Sequence, residues 1–168
     1  MFVGGEYAKK LAEEELMRTL IQKDRLFAPL SAASIGTPFL VRNVFKKPSY
    51  WLIPLLMHDR VGGFVRVLGN GRVAHIGTFY HDPSELRDAP LEITGVSAAE
   101  ASRQATRKIH HDQGESASDP IFVHDGPIGR EAWLIEVVRE GIPRRWIFVT
   151  PAFIYERTAG EMLDETME

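Results

Sequence analysis

The run Gly69-Asn70-Gly71 constrains this chain more than any other short segment. It sits between two β-rich stretches, Phe64-Val65-Arg66-Val67-Leu68 and Arg72 to Tyr80. An Asn-Gly pair in that setting predicts a two-residue hairpin turn with both central residues at positive φ. Before it lies the strongly apolar Tyr50-Trp51-Leu52-Ile53-Pro54-Leu55-Leu56-Met57. Asp59-Arg60 with Gly62-Gly63 marks a turn or bulged entry between the first two stretches. A three-strand meander from Tyr50 to Tyr80 follows, with Pro54 marking its first strand as a candidate edge because proline cannot donate to a ladder.

The remainder frames that meander. Glu6 to about Leu26 is rich in Ala, Leu, Glu and Lys, and Ala8, Leu11, Ala12, Leu16 and Leu20 fall at helical spacing. Glu13, Glu14 and Glu15 precede Arg18, Lys23 and Arg25, which suits the helix dipole. It reads as an amphipathic N-terminal helix, or as an arm that docks on another subunit. The connector 29–49 holds one short apolar run, Pro38-Phe39-Leu40-Val41, as compatible with a strand as with a helical turn. Ser97-Ala98-Ala99-Glu100 has the form of a capping box, and the helix it opens runs to about His111 with an Ala98, Ala101, Ala105, Ile109 stripe. Three further strands are expected at Ile121–His124, Ala132–Val138 and Arg145–Tyr155, followed by an acidic tail over 158–168. Strand–helix alternation is missing, so the expected class is α+β: an antiparallel sheet of three strands, a helix, and three more strands, with one helix on a face. The organisation expected is a single domain, 1–168, with its body at 50–157.

At 168 residues the chain is long enough to bury a sizeable core. A net charge of −3 gives no whole-molecule attraction to nucleic acid or to an anionic membrane. The lack of cysteine removes disulfides, thiolate metal sites and cysteine nucleophiles. Met1-Phe2-Val3-Gly4-Gly5-Glu6 has neither the basic start nor the apolar run of a secretory leader, and no segment is apolar enough for a membrane span, so a cytoplasmic protein is expected.

Four histidines precede an aspartate: His58-Asp59, His81-Asp82, His111-Asp112 and His124-Asp125. Imidazole and carboxylate both ligate divalent metals, so converging pairs could hold an ion or run acid–base chemistry. Each pair also sits where an element ends, where Asp favours turns for its own backbone bonding. His75, mid-strand beside Ala74 and Ile76, reads as a structural histidine or a pocket residue. No Gly-x-Ser-x-Gly elbow occurs, and neither Gly69-Asn70-Gly71 nor Gly62-Gly63 opens a helix that would cradle phosphate. Arg145 and Trp146 near the last hairpin, with Tyr50 and Trp51 on the Pro54 strand, are candidate partner-binding residues. Stacking plus charge at the last hairpin would suit single-stranded nucleic acid, but Glu136 and Glu156 dilute it.

Residues 95–157 resemble a PepSY-type or cystatin-like module. The resemblance rests on Val96-Ser97-Ala98-Ala99-Glu100-Ala101, Ala132-Trp133-Leu134-Ile135-Glu136-Val137 and Arg145-Trp146-Ile147-Phe148-Val149. The Asp-x-x-Thr-Gly-type turn that usually closes the pattern is replaced by Thr150-Pro151-Ala152-Phe153. The resemblance implies binding or regulation rather than catalysis. The expectation is a non-enzymatic binding module without cofactor, acting through self-association as a homodimer or by docking a peptide or protein at an exposed strand edge. The alternative is a metal-dependent or small-molecule enzyme using the His-Asp pairs.

Overall fold

A computed structural model describes residues 1–164, and its helices and strands make the chain α+β. Two compact units form: Met1–Val41 with Pro48–Ile93, and Arg42–Lys47 with the chain from Thr94 on. Among the described residues no helix is long and apolar enough to cross a membrane.

In the first unit, α1 (Gly5–Ile21) lies against the long strands and buries Ala8, Ala12, Leu16 and Thr19. Small side chains at the fourth and eighth helical positions let its backbone come close to the sheet. Then come β1 (Ser34–Ile35), β2 (Phe39–Asn43), β3 (Pro48–Met57), β4 (Arg60–Leu68) and β5 (Val73–Thr78). The undecided run at Pro38 to Val41 is therefore strand. Strands β3, β4 and β5 pair antiparallel in sequence order, with Trp51 opposite Val67 and Val65 opposite Ile76. The core holds Ile53, Leu55, Val65, Val67, Leu30 and Tyr80.

Two local expectations need correction. The Leu68–Arg72 turn is a three-residue loop. The Gly71 N–H donates to the Leu68 carbonyl, the Leu68 N–H donates to the Arg72 carbonyl, and only Gly71 takes a positive φ, 83°. That is a type I turn closed by a left-handed glycine, and the Asn70 carboxamide accepts from the Arg72 N–H instead of adopting the left-handed form itself. Strand β3 is also not an edge, since β4 pairs along one side and β1 along the other, Ile35 opposite Leu55. The Pro54 carbonyl accepts from the Gly36 N–H, so its missing donor faces the point where the chain leaves β1.

The second unit contains α2 (Ala98–Thr106), β6 (Glu115–Ala117), β7 (Ile121–His124), β8 (Glu131–Arg139), β9 (Ile142–Val149), β10 (Ile154–Thr158) and α3 (Ala159–Asp164). Ser97 caps α2, its hydroxyl accepting from the Glu100 N–H at 3.1 Å. Strands β8, β9 and β10 pair antiparallel in order, while β6 and β7 share the other side of β8. Phe148, Leu134, Val123 and Ala132 form the core. The acidic tail begins as α3, and 165–168 lie outside the described residues.

One pairing departs from the expected antiparallel sheet. Arg42 and Asn43 of β2 pair in parallel with Val123 and His124 of β7, so the sheet is mixed. Nothing local in either segment signals it, because parallel partners are far apart in sequence.

The two halves of the chain repeat one plan. Placing Trp51 on Trp133 superposes the register of β3–β4 on that of β8–β9. Both hairpins skip one residue at the same step, between Leu55 and Leu56 in one and Val137 and Val138 in the other. The Trp51 indole N–H donates to the Val3 carbonyl at 2.9 Å, and the Trp133 indole N–H donates to the Val96 carbonyl at 2.7 Å. Val3 and Val96 each lie two residues before their helix. Counting from them, Ala8 matches Ala101, Ala12 matches Ala105 and Leu16 matches Ile109, all buried.

Candidate functional site

The parallel pair builds a recess in the second unit. Two parallel strands send the chain out of the sheet in the same direction, so two turns, 44–47 and 125–130, rise side by side at their carboxyl ends. Clefts at such ends are common ligand sites in sheets with parallel strands. Here the cleft measures about 460 Å³. Phe45 and Pro127 supply apolar walls, and Asn43, His124 and Arg130 bring polar groups. The Asn43 carboxamide oxygen accepts from the Phe45 and Lys47 N–H groups at 3.0 and 3.1 Å, which ties one turn down. In the other, the His124 Nδ1 lies 2.8 Å from the Gly126 carbonyl oxygen. A carbonyl only accepts, so Nδ1 carries a hydrogen.

Asp125 stands directly behind this cleft. It is fully buried, and its Oδ2 accepts from the Tyr155 hydroxyl at 2.5 Å and forms an ion pair with Arg157 Nη2 at 3.0 Å. Arg130 Nη2 lies 3.7 Å away. The other carboxylate oxygen, Oδ1, is buried and accepts no hydrogen bond from the described residues. Tyr155 stacks on Phe148 with ring centroids 4.9 Å apart, and Arg157 lies over the same ring. Burial first, and then the bond to Asp125, push the Tyr155 hydroxyl well above its ordinary pKa. This knot fixes the turn that carries His124 and Arg130.

A second recess of about 390 Å³ opens on the far side of the 44–47 turn. Val44 and Phe45 line both recesses, so that turn is the wall between them. Trp146 and Met162 make the second one apolar, and the Lys46–Glu136 ion pair at 2.7 Å sits at its rim.

The other residues singled out from sequence lie elsewhere. His58 and the exposed Asp59 form the tight β3–β4 turn, with His58 left-handed at φ 55°. Asp82 caps a short 3₁₀ turn at Pro83–Asp88, accepting from Ser84, whose backbone N–H holds the carboxyl below its ordinary pKa. His81 is exposed and gives its backbone N–H to Glu85. His111 and Asp112 open an exposed 3₁₀ turn. Among the described residues, no three or more His, Asp or Glu side chains are grouped to hold a metal ion. Only the His124-Asp125 pair lies at the cleft.

Two partner-binding candidates are spoken for inside the fold. Tyr50 is fully buried, so it is not part of an outer surface. Arg145 donates to the Lys108 carbonyl and to Glu115, and pairs with Glu156 at 3.0 Å. That arginine, chiefly through its hydrogen bond, draws the Glu115 carboxyl down to about 2. Trp51 is half-buried, with its indole committed to Val3. Trp146 does line a recess.

Sequence alone does not connect Arg130, Tyr155 and Arg157 to Asp125. The available signal was Tyr155-x-Arg157, two residues on one face of a strand, with an aspartate just past an apolar strand elsewhere. No protein-family model, curated protein or solved structure matches the chain.

Proposed function

We propose that this protein is a non-enzymatic binding module, and that its ligand is an acidic, partly apolar segment of another protein. The observation that carries this reading is the pair of recesses sharing the Phe45 wall. One offers Arg130 to a carboxylate, and the other offers Trp146 and Met162 to an apolar side chain. The turns 44–47 and 125–130 contain Lys46, Lys47 and Arg130 against one acidic residue, Asp125. Arg130 is 58% exposed, and Asp125 behind it is already engaged by Arg157, so an incoming carboxylate meets net positive charge. The PepSY-type likeness of 95–157 agrees with a binding role. The lining holds no nucleophile paired with a base.

Selection of a random peptide library on the immobilised protein tests the reading. The expected winners place Asp or Glu a few residues from an aromatic or aliphatic side chain. Arg130→Glu and Trp146→Ala should each weaken the selected peptides at least about tenfold, a difference of about 1.4 kcal/mol. Winners without acidic residues, or binding indifferent to both substitutions, would overturn it.

A further inference from the structure

Helix α1 carries an outer face that the first unit leaves uncovered. Tyr7, Met17 and Ile21 are 53%, 62% and 76% exposed, and Lys10 and Glu14 lie exposed between them. At 100° per residue, positions 7, 10, 14, 17 and 21 form one continuous stripe, the spacing of a two-helix seam. Solvated helix faces rarely place three large apolar side chains on one such line.

We infer that this stripe is the contact between two copies of the chain, with the two α1 helices antiparallel. The order of residues along the stripe selects that partner. A two-fold axis crossing the outer face level with Ala12 brings Tyr7 of one copy onto Met17 of the other, and Lys10 onto Glu14. It repeats both contacts on the opposite side, and places Ile21 beside Val3. A closed dimer needs a patch complementary to itself. Here the apolar residues meet apolar residues and the opposite charges meet twice. A parallel pair in register would set Lys10 against Lys10 and Glu14 against Glu14. An unrelated helix would have no reason to match the reversed order of these four residues.

The seam is small. Seventeen helical residues span roughly 25 Å at about 1.5 Å each, which places the contact at the low end of specific interfaces. A dimer with a dissociation constant on the order of micromolar is expected.

Sedimentation velocity across a concentration series is the test, with the charge pair exchanged. Lys10→Glu sets two Glu–Glu contacts in the seam, and Glu14→Lys sets two Lys–Lys contacts. Each should weaken dimerisation at least about tenfold, and the double exchange should restore it. Both positions are exposed, so helix content by circular dichroism should be unchanged in all three variants. Arg130→Glu, at the cleft of the other unit, should leave the dimer intact, which separates this inference from the binding reading. A protein that stays monomeric throughout the series overturns the inference. So does a dimer indifferent to the single exchanges, or one that the double exchange fails to restore.

Discussion

Asp125, Tyr155 and Arg157 of the second half of the chain, where Asp125 is buried against the other two, have Asn43, His75 and Gly77 as their counterparts in the first half. The matches follow from register. Leu134, Phe148 and Tyr155 stand in line across β8, β9 and β10, as Leu52, Arg66 and His75 do across β3, β4 and β5. Asn43 and Asp125 each give the N–H that closes the loop after their strand. His75 is exposed beside the Phe64 ring, whereas Tyr155 is drawn inward to a carboxylate. The halves also differ in their helices, 17 residues in α1 and 9 in α2. A long helix over an apolar sheet holds the first half by burial. The second half, with half the helix, adds a buried charge knot. Such a knot contributes little net energy against an apolar replacement but penalises heavily any loss of one member. It also confines the 125–130 turn to one geometry.

The largest expected consequence separates the halves directly. Asp125→Ala removes the acceptor of Tyr155 and the counter-charge of Arg157, and should cost roughly 3–5 kcal/mol. Asn43→Ala removes neutral turn bonds at the matching place and should cost about 1 kcal/mol. Equal shifts in urea midpoint for the two variants would break the contrast. Next come the tryptophans, where the halves should agree. Trp51→Phe and Trp133→Phe each leave a helix-entry carbonyl without its donor, and each should cost roughly 1–3 kcal/mol by urea unfolding. A loss confined to one of them would show that the shared indole bond is not equivalent in the two halves.

Acid should again separate them. A carboxyl whose folded pKa is lowered contributes stability that is present above its unfolded value and lost as pH falls toward the folded one. For Glu115 that window runs from 4.5 down to about 2. The melting temperature of the native protein should therefore fall through this window more steeply than that of Glu115→Gln, and parallel curves would count against the Arg145 bond. The smallest effect concerns the helix entries. Ser97→Ala should cost about 1 kcal/mol by removing the cap of α2. Gly4 caps α1 without a side chain, and a Cβ there meets nothing within 4 Å. Gly4→Ser should thus raise stability by a few tenths of a kcal/mol, measured as a small rise in melting temperature.

Local chemistry was legible in the sequence, and long-range chemistry was not. The Ser97 cap and the strands around Gly69–Gly71 announce themselves because cap and turn residues act on their own backbone. The three-residue form of that loop was hidden, since Asn70 can satisfy it either by its dihedral angles or by its side chain. The repeat was visible in principle: Trp-Leu-Ile occurs at 51–53 and 133–135, and Val3 and Val96 precede the same Ala, Ala, Leu/Ile spacing. Each piece is short enough to pass for composition until the shared bulge ties them together. Asp125 looked like three other aspartates that follow histidine. What distinguishes it is the arrival of Tyr155 and Arg157, which depends on a strand register that turn residues do not encode.

The parallel pairing of Arg42–Asn43 with Val123–His124 also has a consequence for synthesis. The ribosome releases β2 long before it makes β7. At about 5–20 residues per second the wait is roughly 4–16 s. Throughout it, one side of β2 has unpaired backbone groups, and Val44, which ends 8% exposed, lacks its cover. The nascent chain is most prone to sticking to its neighbours in that interval, and slow translation of the α2 to β7 stretch would lengthen the exposure.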